Sequence, residues 1–169
     1  PRLEIPRGRD AHKDEPVKYT RICGANWVHG RERRKDHVQE HGIVIAFDQP
    51  VRAIDINRHT FQVLVGHRIE EGLICWCELR GQVHGVQLDL EPGEEGPRKI
   101  VQVHEPHLHP TDATLANGAI FRPDELPFDP GTLRVILKGD LIRDERGLGV
   151  DANHLPPWLP ERVTGDGVQ

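Results

Sequence analysis

Short runs of apolar residues, separated by turn-forming residues, dominate the pattern of this chain. Residues 43–47 (IVIAF) are apolar throughout, whereas residues 61–65 (FQVLV) and 73–79 (LICWCEL) carry apolar side chains at alternate positions. The first pattern is typical of a short buried strand, and the second of a strand with one buried face. Further strands are predicted at residues 19–29, 83–90, 99–104 and 132–142. The chain is therefore predicted to form an all-β antiparallel sandwich.

The residues between these runs predict how the strands begin, bend and end. Gly24 is expected at a bulge or kink in the first strand, and Pro50, which has no N–H, is expected to interrupt a sheet ladder. Asp55 is expected to cap a single helical turn. Residues 80–82 (RGQ) are expected to form the turn that pairs 73–79 with 83–90, and residues 30–41 a solvated, mixed-charge connection.

The distribution of breakers divides the chain into an arm, a domain and an insertion. Residues 1–18 are polar and aperiodic, which is typical of an extended arm. Residues 19–169 are predicted to form one domain, with an insertion at about 91–131. The insertion is expected to be irregular from residue 105 onwards because of its prolines: Pro106, Pro110, Pro123, Pro127 and Pro130. The whole chain has 17 glycines and 14 prolines, which suits short strands joined by many turns.

Three segments resemble the bacterial Ig-like domains of surface-layer and other large surface proteins. They are IVIAFDQPV at 43–51, DINRHTFQVLV at 55–65, and LRVILKGDLIRDERGLGVDANHL at 133–155. The resemblance covers roughly residues 43–90 and 133–155. It implies an Ig-like sandwich of about seven or eight strands and a role in building or displaying structures. It implies no catalytic residue.

Charge and hydropathy narrow the classes of partner. The formal net charge is −5, whereas general nucleic-acid binders are normally basic, so no nucleic-acid partner is expected. No apolar run approaches the roughly 20 residues of a membrane-spanning helix, and no secretory signal is present at the start. The expected partners are other protein subunits or copies of the same chain. An extracellular, cell-surface or particle-associated location is favoured over a cytoplasmic one.

The chain has three cysteines, Cys23, Cys75 and Cys77, and an odd number does not suggest a disulfide framework. Cys75 and Cys77 would point the same way from a strand, and a bond between them would be strained. All three are expected to be small buried hydrophobic residues. A disulfide from Cys23 to one of the others, or a metal site, are the alternatives.

The segment VHEPHLHP places His104, His107 and His109 within six positions. Three imidazoles could bind zinc, nickel or copper, and His107 and His109 would share a face of an extended segment. The spacing does not match H-E-x-x-H, and prolines on both sides oppose a helix. Structural or solvated histidines are the favoured interpretation, and a metal site is the alternative.

The acidic residues Asp140, Asp144 and Asp151 surround a predicted turn and could together bind Ca²⁺ through their carboxylate oxygens. The EF-hand spacing is absent. Asp144 followed by Gly147 is more typical of a turn, in which the carboxylate accepts backbone hydrogen bonds and glycine supplies a positive φ. No cofactor is therefore expected, with zinc or calcium as the alternatives.

The sequence favours a binding or structural role over catalysis. The chain contains no serine, which excludes serine nucleophiles, and no nucleotide-binding glycine motif. Trp76 and Trp158 are candidate partner contacts, although Trp76 is expected to lie mainly in the core. We therefore predict a non-enzymatic structural or interaction module of a larger bacterial surface or secreted-particle assembly. A metal-binding protein or metalloenzyme using the histidines is the first alternative, and a carbohydrate-binding module is a weaker one.

Overall fold

The computed structural model describes residues 18–27, 35–92, 97–126 and 132–151. The predicted arm at 1–18 lies outside the described residues, apart from residue 18. Trp158 also lies outside them. The described parts are mostly β-strand, with one short helix and 3-10 turns at Ala53–Asp55 and Gly139–Leu141. The elements are β1 (Ile22–Ala25), α1 (Lys35–His41), β2 (Ile43–Arg52), β3 (Phe61–Glu70), β4 (Leu73–Glu78), β5 (Gly81–Val86), β6 (Leu88–Leu90), β7 (Ile100–Val103), β8 (Leu115–Pro123) and β9 (Thr132–Leu137).

The strands form two sheets and a two-stranded ribbon, and every strand pair is antiparallel. The four-stranded sheet has the order β1-β2-β8-β5, the three-stranded sheet has the order β4-β3-β9, and the ribbon pairs β6 with β7. The prediction of an all-β antiparallel fold is confirmed.

The main hydrophobic core lies between the four-stranded and three-stranded sheets. Phe47 and Phe121 come from the first, Phe61 and Val63 from the second, and all four are almost fully buried. The rings of Phe61 and Phe121 are 6.4 Å apart between centroids, in a tilted arrangement. Ile142, from the segment after β9, is also in this core. Burial of aromatic and aliphatic surface from both sheets is the main force holding them together.

A second core lies on the opposite face of the four-stranded sheet, beneath the ribbon. It contains Val44, Ala46, Val86, Leu88 and Ile120. The sheet is thus covered on both faces, which explains why residues 43–47 are apolar without alternation. The ribbon completes a third layer over a sandwich-like pair of sheets.

Strand β8 occupies a central position that the sequence did not predict. The predicted irregular insertion contains β7, as expected, but also the nine-residue strand β8, which pairs with both β2 and β5. Its sequence, LANGAIFRP, contains residues that usually break strands. They have specific contacts here: Asn117 accepts from the backbone N–H of Leu88 at 2.7 Å and donates to its carbonyl at 2.9 Å. The Leu88 side chain lies against Gly118, where a Cβ would be 2.3 Å from Leu88 Cδ1.

The residues at 80–82 do not form the predicted hairpin turn. Strand β5 pairs with β8 in the four-stranded sheet, whereas β4 belongs to the three-stranded sheet. Leu79, between them, is buried in the main core. A Cβ on Gly81 would be 2.6 Å from the ring of Phe121, so a glycine permits this close approach. The chain therefore crosses from one sheet to the other at this point, with Leu79 buried between the two sheets.

Other local expectations have mixed outcomes. The register of β1 against β2 shifts at Gly24, and the ladder between β2 and β8 is interrupted between Ala46 and Val51, around Pro50, as predicted. The connection at 30–41 instead includes α1, a helix of 7 residues. Gly42 follows it with a φ of 69° and donates to the carbonyl of Val38, a common way for a helix to end.

Candidate functional site

The ends of β3 and β4 form a hairpin that carries exposed apolar side chains. Its turn includes Gly72, which has a φ of 85°. Ile69, Leu73 and Ile74 are 61%, 54% and 44% exposed, respectively. Strand β4 lies at the end of its sheet and, among the described residues, pairs only with β3. An apolar edge strand of this kind is a common site of association with another chain.

One face of the hairpin carries the two neighbouring cysteines. Val65 is paired with Cys77, and His67 with Cys75, so these four side chains share a face with the core residues of β3. Val65 is buried, whereas both cysteines are exposed and have free thiols. The prediction that Cys75 and Cys77 are buried is wrong, because the main core ends before it reaches this part of the hairpin. Their Sγ atoms are 3.9 Å apart.

Trp76 lies on the other face of β4, which is the outer face of the three-stranded sheet. Its ring packs against Gly66, the residue paired with it across β3 and β4. The guanidinium carbon of Arg134 on β9 lies 4.1 Å from the ring centroid, a cation–π contact. Trp76 is half-buried by these contacts. The expectation that it lies in the core is wrong, since Leu79 rather than Trp76 enters the core from this segment.

Gly66 and Arg134 were not singled out from the sequence. An arginine at an outward position of a strand is ordinary, and nothing local connects it with a tryptophan 58 positions earlier in the sequence. Only the arrangement of β4, β3 and β9 places the two side chains on one face. The Arg134 guanidinium already lies over the ring of Trp76, where a stacked sugar would have to lie.

The three histidines at 104–109 have different surroundings. His104 Nε2 is 3.0 Å from a carboxylate oxygen of Asp89 on the ribbon. His107 donates its backbone N–H to the carbonyl of Gly85, and its Nε2 atom is buried without a hydrogen-bond partner. His109 is exposed. Within the described ranges, no group of three or more His, Cys, Asp or Glu side chains is arranged to hold a metal ion. The geometry therefore gives no support to a zinc site here.

Two of the three predicted calcium ligands, Asp144 and Asp151, already lie against arginine side chains. Asp144 accepts hydrogen bonds from the backbone N–H groups of Arg146 and Leu148 and from the Arg146 guanidinium. Asp151 lies 3.8 Å from Arg21, and Asp140 is exposed. Gly147, in the same turn as Asp144, has a φ of 80°. The turn interpretation of Asp144 and Gly147 is confirmed, and a calcium ion would have to displace Arg146.

Asp55 is a buried carboxylate that fixes the segment after β9. Burial alone would raise the pKa of Asp55, but hydrogen bonds from the side chain and backbone of Arg143 lower it below its ordinary value. The ion pair between Asp55 and Arg143 joins two positions that are 88 residues apart in the sequence. The expected role of Asp55 as a helix cap is wrong, because Asp55 ends its 3-10 turn and its carboxylate binds Arg143 instead.

A cleft of 680 Å³ lies beside β1, α1 and β7. Trp27, His37, His41, Lys99 and Arg122 are among the residues that line it. The rings of His37 and His41, one helical turn apart, have centroids separated by 4.4 Å. The walls mix aliphatic side chains with charges of both signs, and none of the site residues predicted from the sequence lies in the cleft.

Comparisons with known proteins give no relative to which this site can be compared. No family model, no curated protein and no solved structure matches the chain. No helix in the described parts has the length and apolar character needed to cross a membrane.

Proposed function

We propose that this protein is a non-enzymatic interaction module of a larger assembly, and that β4 is its contact with another protein chain. The observation that carries the proposal is the exposed edge of the three-stranded sheet. An edge strand offers backbone N–H and C=O groups to an incoming strand, and apolar side chains add affinity. Natural edge strands are usually protected by charges, yet β4 has only one charged residue, Glu78 at its end.

The binding partner that fits this edge strand is a second copy of the chain. Two β4 strands can pair antiparallel around a two-fold axis, with Cys75 opposite Cys75 and Ile74 opposite Trp76 of the second copy. This register places no like charges opposite each other and brings the apolar residues of both strands together. Two copies of the sequence LICWCE can therefore lie side by side, whereas two strands rich in like charges would repel each other.

The assembly that this contact would serve is part of the same proposal. The three segments that resemble bacterial Ig-like domains correspond to β2, to the turn leading into β3 and β3 itself, and to β9 with the following turns. Rigid sandwiches of that type serve as building units of surface structures. We propose an Ig-like module of a bacterial surface or secreted-particle assembly, with no catalytic residue.

Light scattering coupled to size-exclusion chromatography, over a range of concentrations, tests the contact. The wild-type chain is expected to form a dimer as its concentration rises. Ile74→Lys, which puts a charge on the edge, is expected to weaken the dimer at least about tenfold. Val101→Lys is the matched control, because Val101 is a similarly exposed apolar strand residue on β7, at 59%.

Two results would contradict the proposal. The first is a wild-type chain that is monomeric at every concentration, both alone and with the other subunits of its assembly. The second is a dimer that Ile74→Lys and Val101→Lys weaken equally. The chain could instead form a complex only with another subunit. If Ile74→Lys disrupts that complex, the strand that pairs with β4 belongs to that subunit and not to a second copy of this chain. Circular dichroism of both variants verifies that they remain folded.

A further inference from the structure

The two thiols of β4 form a pair that the proposed interaction does not require. Cys75 and Cys77 are two positions apart on one strand, so both side chains point to the same side. Both are exposed, both are free, and their Sγ atoms are 3.9 Å apart. We propose that they bind a thiophilic divalent cation of the zinc class as a two-thiolate site.

The distance between the sulfurs fits this type of coordination. Zinc–thiolate bonds are about 2.3 Å long, so two thiolates at tetrahedral angles around one cation lie about 3.8 Å apart. A linear two-coordinate ion with bonds of about the same length would need sulfurs roughly 4.6 Å apart. A disulfide would need them at about 2.05 Å. The observed 3.9 Å fits one edge of a tetrahedron without movement of the strand.

The charge interaction between the two thiols makes cation binding dependent on pH. The hydrogen bond and charge interaction with Cys75 raise the pKa of the Cys77 thiol, because two neighbouring thiolates repel each other. A divalent cation removes that repulsion. On binding, each S–H bond breaks, each sulfur forms one bond to the cation, and two protons pass to solvent. Neither sulfur is oxidised. Two tetrahedral positions are left for water, one more than in catalytic zinc sites, which have three protein ligands.

Cys23 provides an internal comparison within the same chain. It lies on β1, is half-buried, and packs at the edge of the second core. Burial raises the pKa of its thiol to about 11. A single, protonated, half-buried thiol lacks both the second ligand and the access that a cation needs. Removal of Cys23 should therefore leave cation binding unchanged.

Titration of the full-length, reduced, metal-free chain with Co²⁺ tests the proposal. Cobalt bound by thiolates in a tetrahedral site gives sulfur-to-metal charge-transfer absorption and intense visible bands, and Zn²⁺ should displace it. Wild type and Cys23→Ala are expected to give the same spectra and to release about two protons per cation. Cys75→Ala and Cys77→Ala are each expected to lose the charge-transfer band and to bind at least about tenfold more weakly.

Three results would overturn the proposal: no thiolate absorption in the wild type, a spectrum that survives in Cys75→Ala or Cys77→Ala, or a spectrum lost in Cys23→Ala. The cysteine side chains are exposed, so unchanged circular dichroism is expected and excludes loss of the fold as a cause. Ile74→Lys keeps both thiols, and its cobalt spectrum separates this site from the strand contact. A monomeric Ile74→Lys chain with the wild-type spectrum supports the cation site alone.

Discussion

Asp144 is expected to contribute more to stability than any other acidic residue of its turn. Its side chain is 3% exposed. Oδ1 accepts from the backbone N–H groups of Arg146 at 2.8 Å and Leu148 at 2.9 Å. Oδ2 accepts from Nε and Nη2 of Arg146 at 2.9 Å and 2.6 Å. The Arg146 guanidinium also donates to the carbonyl of Lys18, so the turn is connected to the segment that precedes β1.

The size of the effect follows from these partners. Hydrogen bonds to a charged group contribute about 1.5–3 kcal/mol each when both sides are buried. The Arg146 side chain is 46% exposed, so solvent screening reduces the contribution of its ion pair with Asp144 to below about 1 kcal/mol. Asp144→Ala also leaves two backbone N–H groups without their acceptor. We expect it to lower the free energy of unfolding by about 2–4 kcal/mol. Asp144→Asn, which keeps one acceptor oxygen, should lower it by about 1–2 kcal/mol.

The pH dependence has a definite sign. Burial by itself would raise the pKa of Asp144, but the hydrogen bonds from Arg146 and Leu148 outweigh it and hold the pKa below its ordinary value of 3.8. A carboxyl group whose pKa is lower in the folded state stabilises that state fully above the unfolded pKa. The contribution is lost as the pH falls through the folded pKa. The difference between wild type and Asp144→Asn should therefore be constant near neutral pH and decrease below about pH 4.

Urea unfolding followed by tryptophan fluorescence and circular dichroism measures these differences. Glu145→Gln is the matched control, because Glu145 is an exposed acid in the same turn, and its effect should stay within about 0.5 kcal/mol. Equal effects of Asp144→Ala and Glu145→Gln would refute the reasoning. A difference between wild type and Asp144→Asn that increases as the pH falls below about 4 would refute the assigned direction of the pKa shift.

Two other predictions concern the second core and the thiols. Gly118→Ala should destabilise the fold by about 1–3 kcal/mol, because its Cβ would be 2.3 Å from Leu88 Cδ1. In urea unfolding, the added Leu88→Ala change should make the cost of Gly118→Ala smaller, and strictly additive effects would contradict this contact. Alkylation followed by mass spectrometry should show Cys23 reacting more slowly than Cys75 and Cys77, because burial raises the pKa of Cys23 to about 11. Equal rates for all three thiols in the folded chain would contradict its half-buried position.

Most strands could be predicted from the sequence because their side-chain pattern is a local property. The alternation at 61–65 placed Phe61, Val63 and Val65 on the buried face, and the apolar run at 43–47 marked a buried strand. Turn residues were also informative: Pro50 fixes its own φ and has no N–H, and Gly147 permits a positive φ, and neither property depends on distant residues. The sequence was sufficient for the all-β antiparallel class.

The tertiary structure decided which strands pair and which faces are covered. Strand β8 could not be recognised because its Asn117 and Gly118 are favourable only when Leu88 packs against them. The exposure of Cys75 and Cys77, and the contact of Trp76 with Arg134, depend on where the main core ends. An alternating pattern tells which residues share a face, but burial depends on the second layer, which is contributed by residues distant in the chain. For that reason the edge strand and its paired thiols became visible only in the fold.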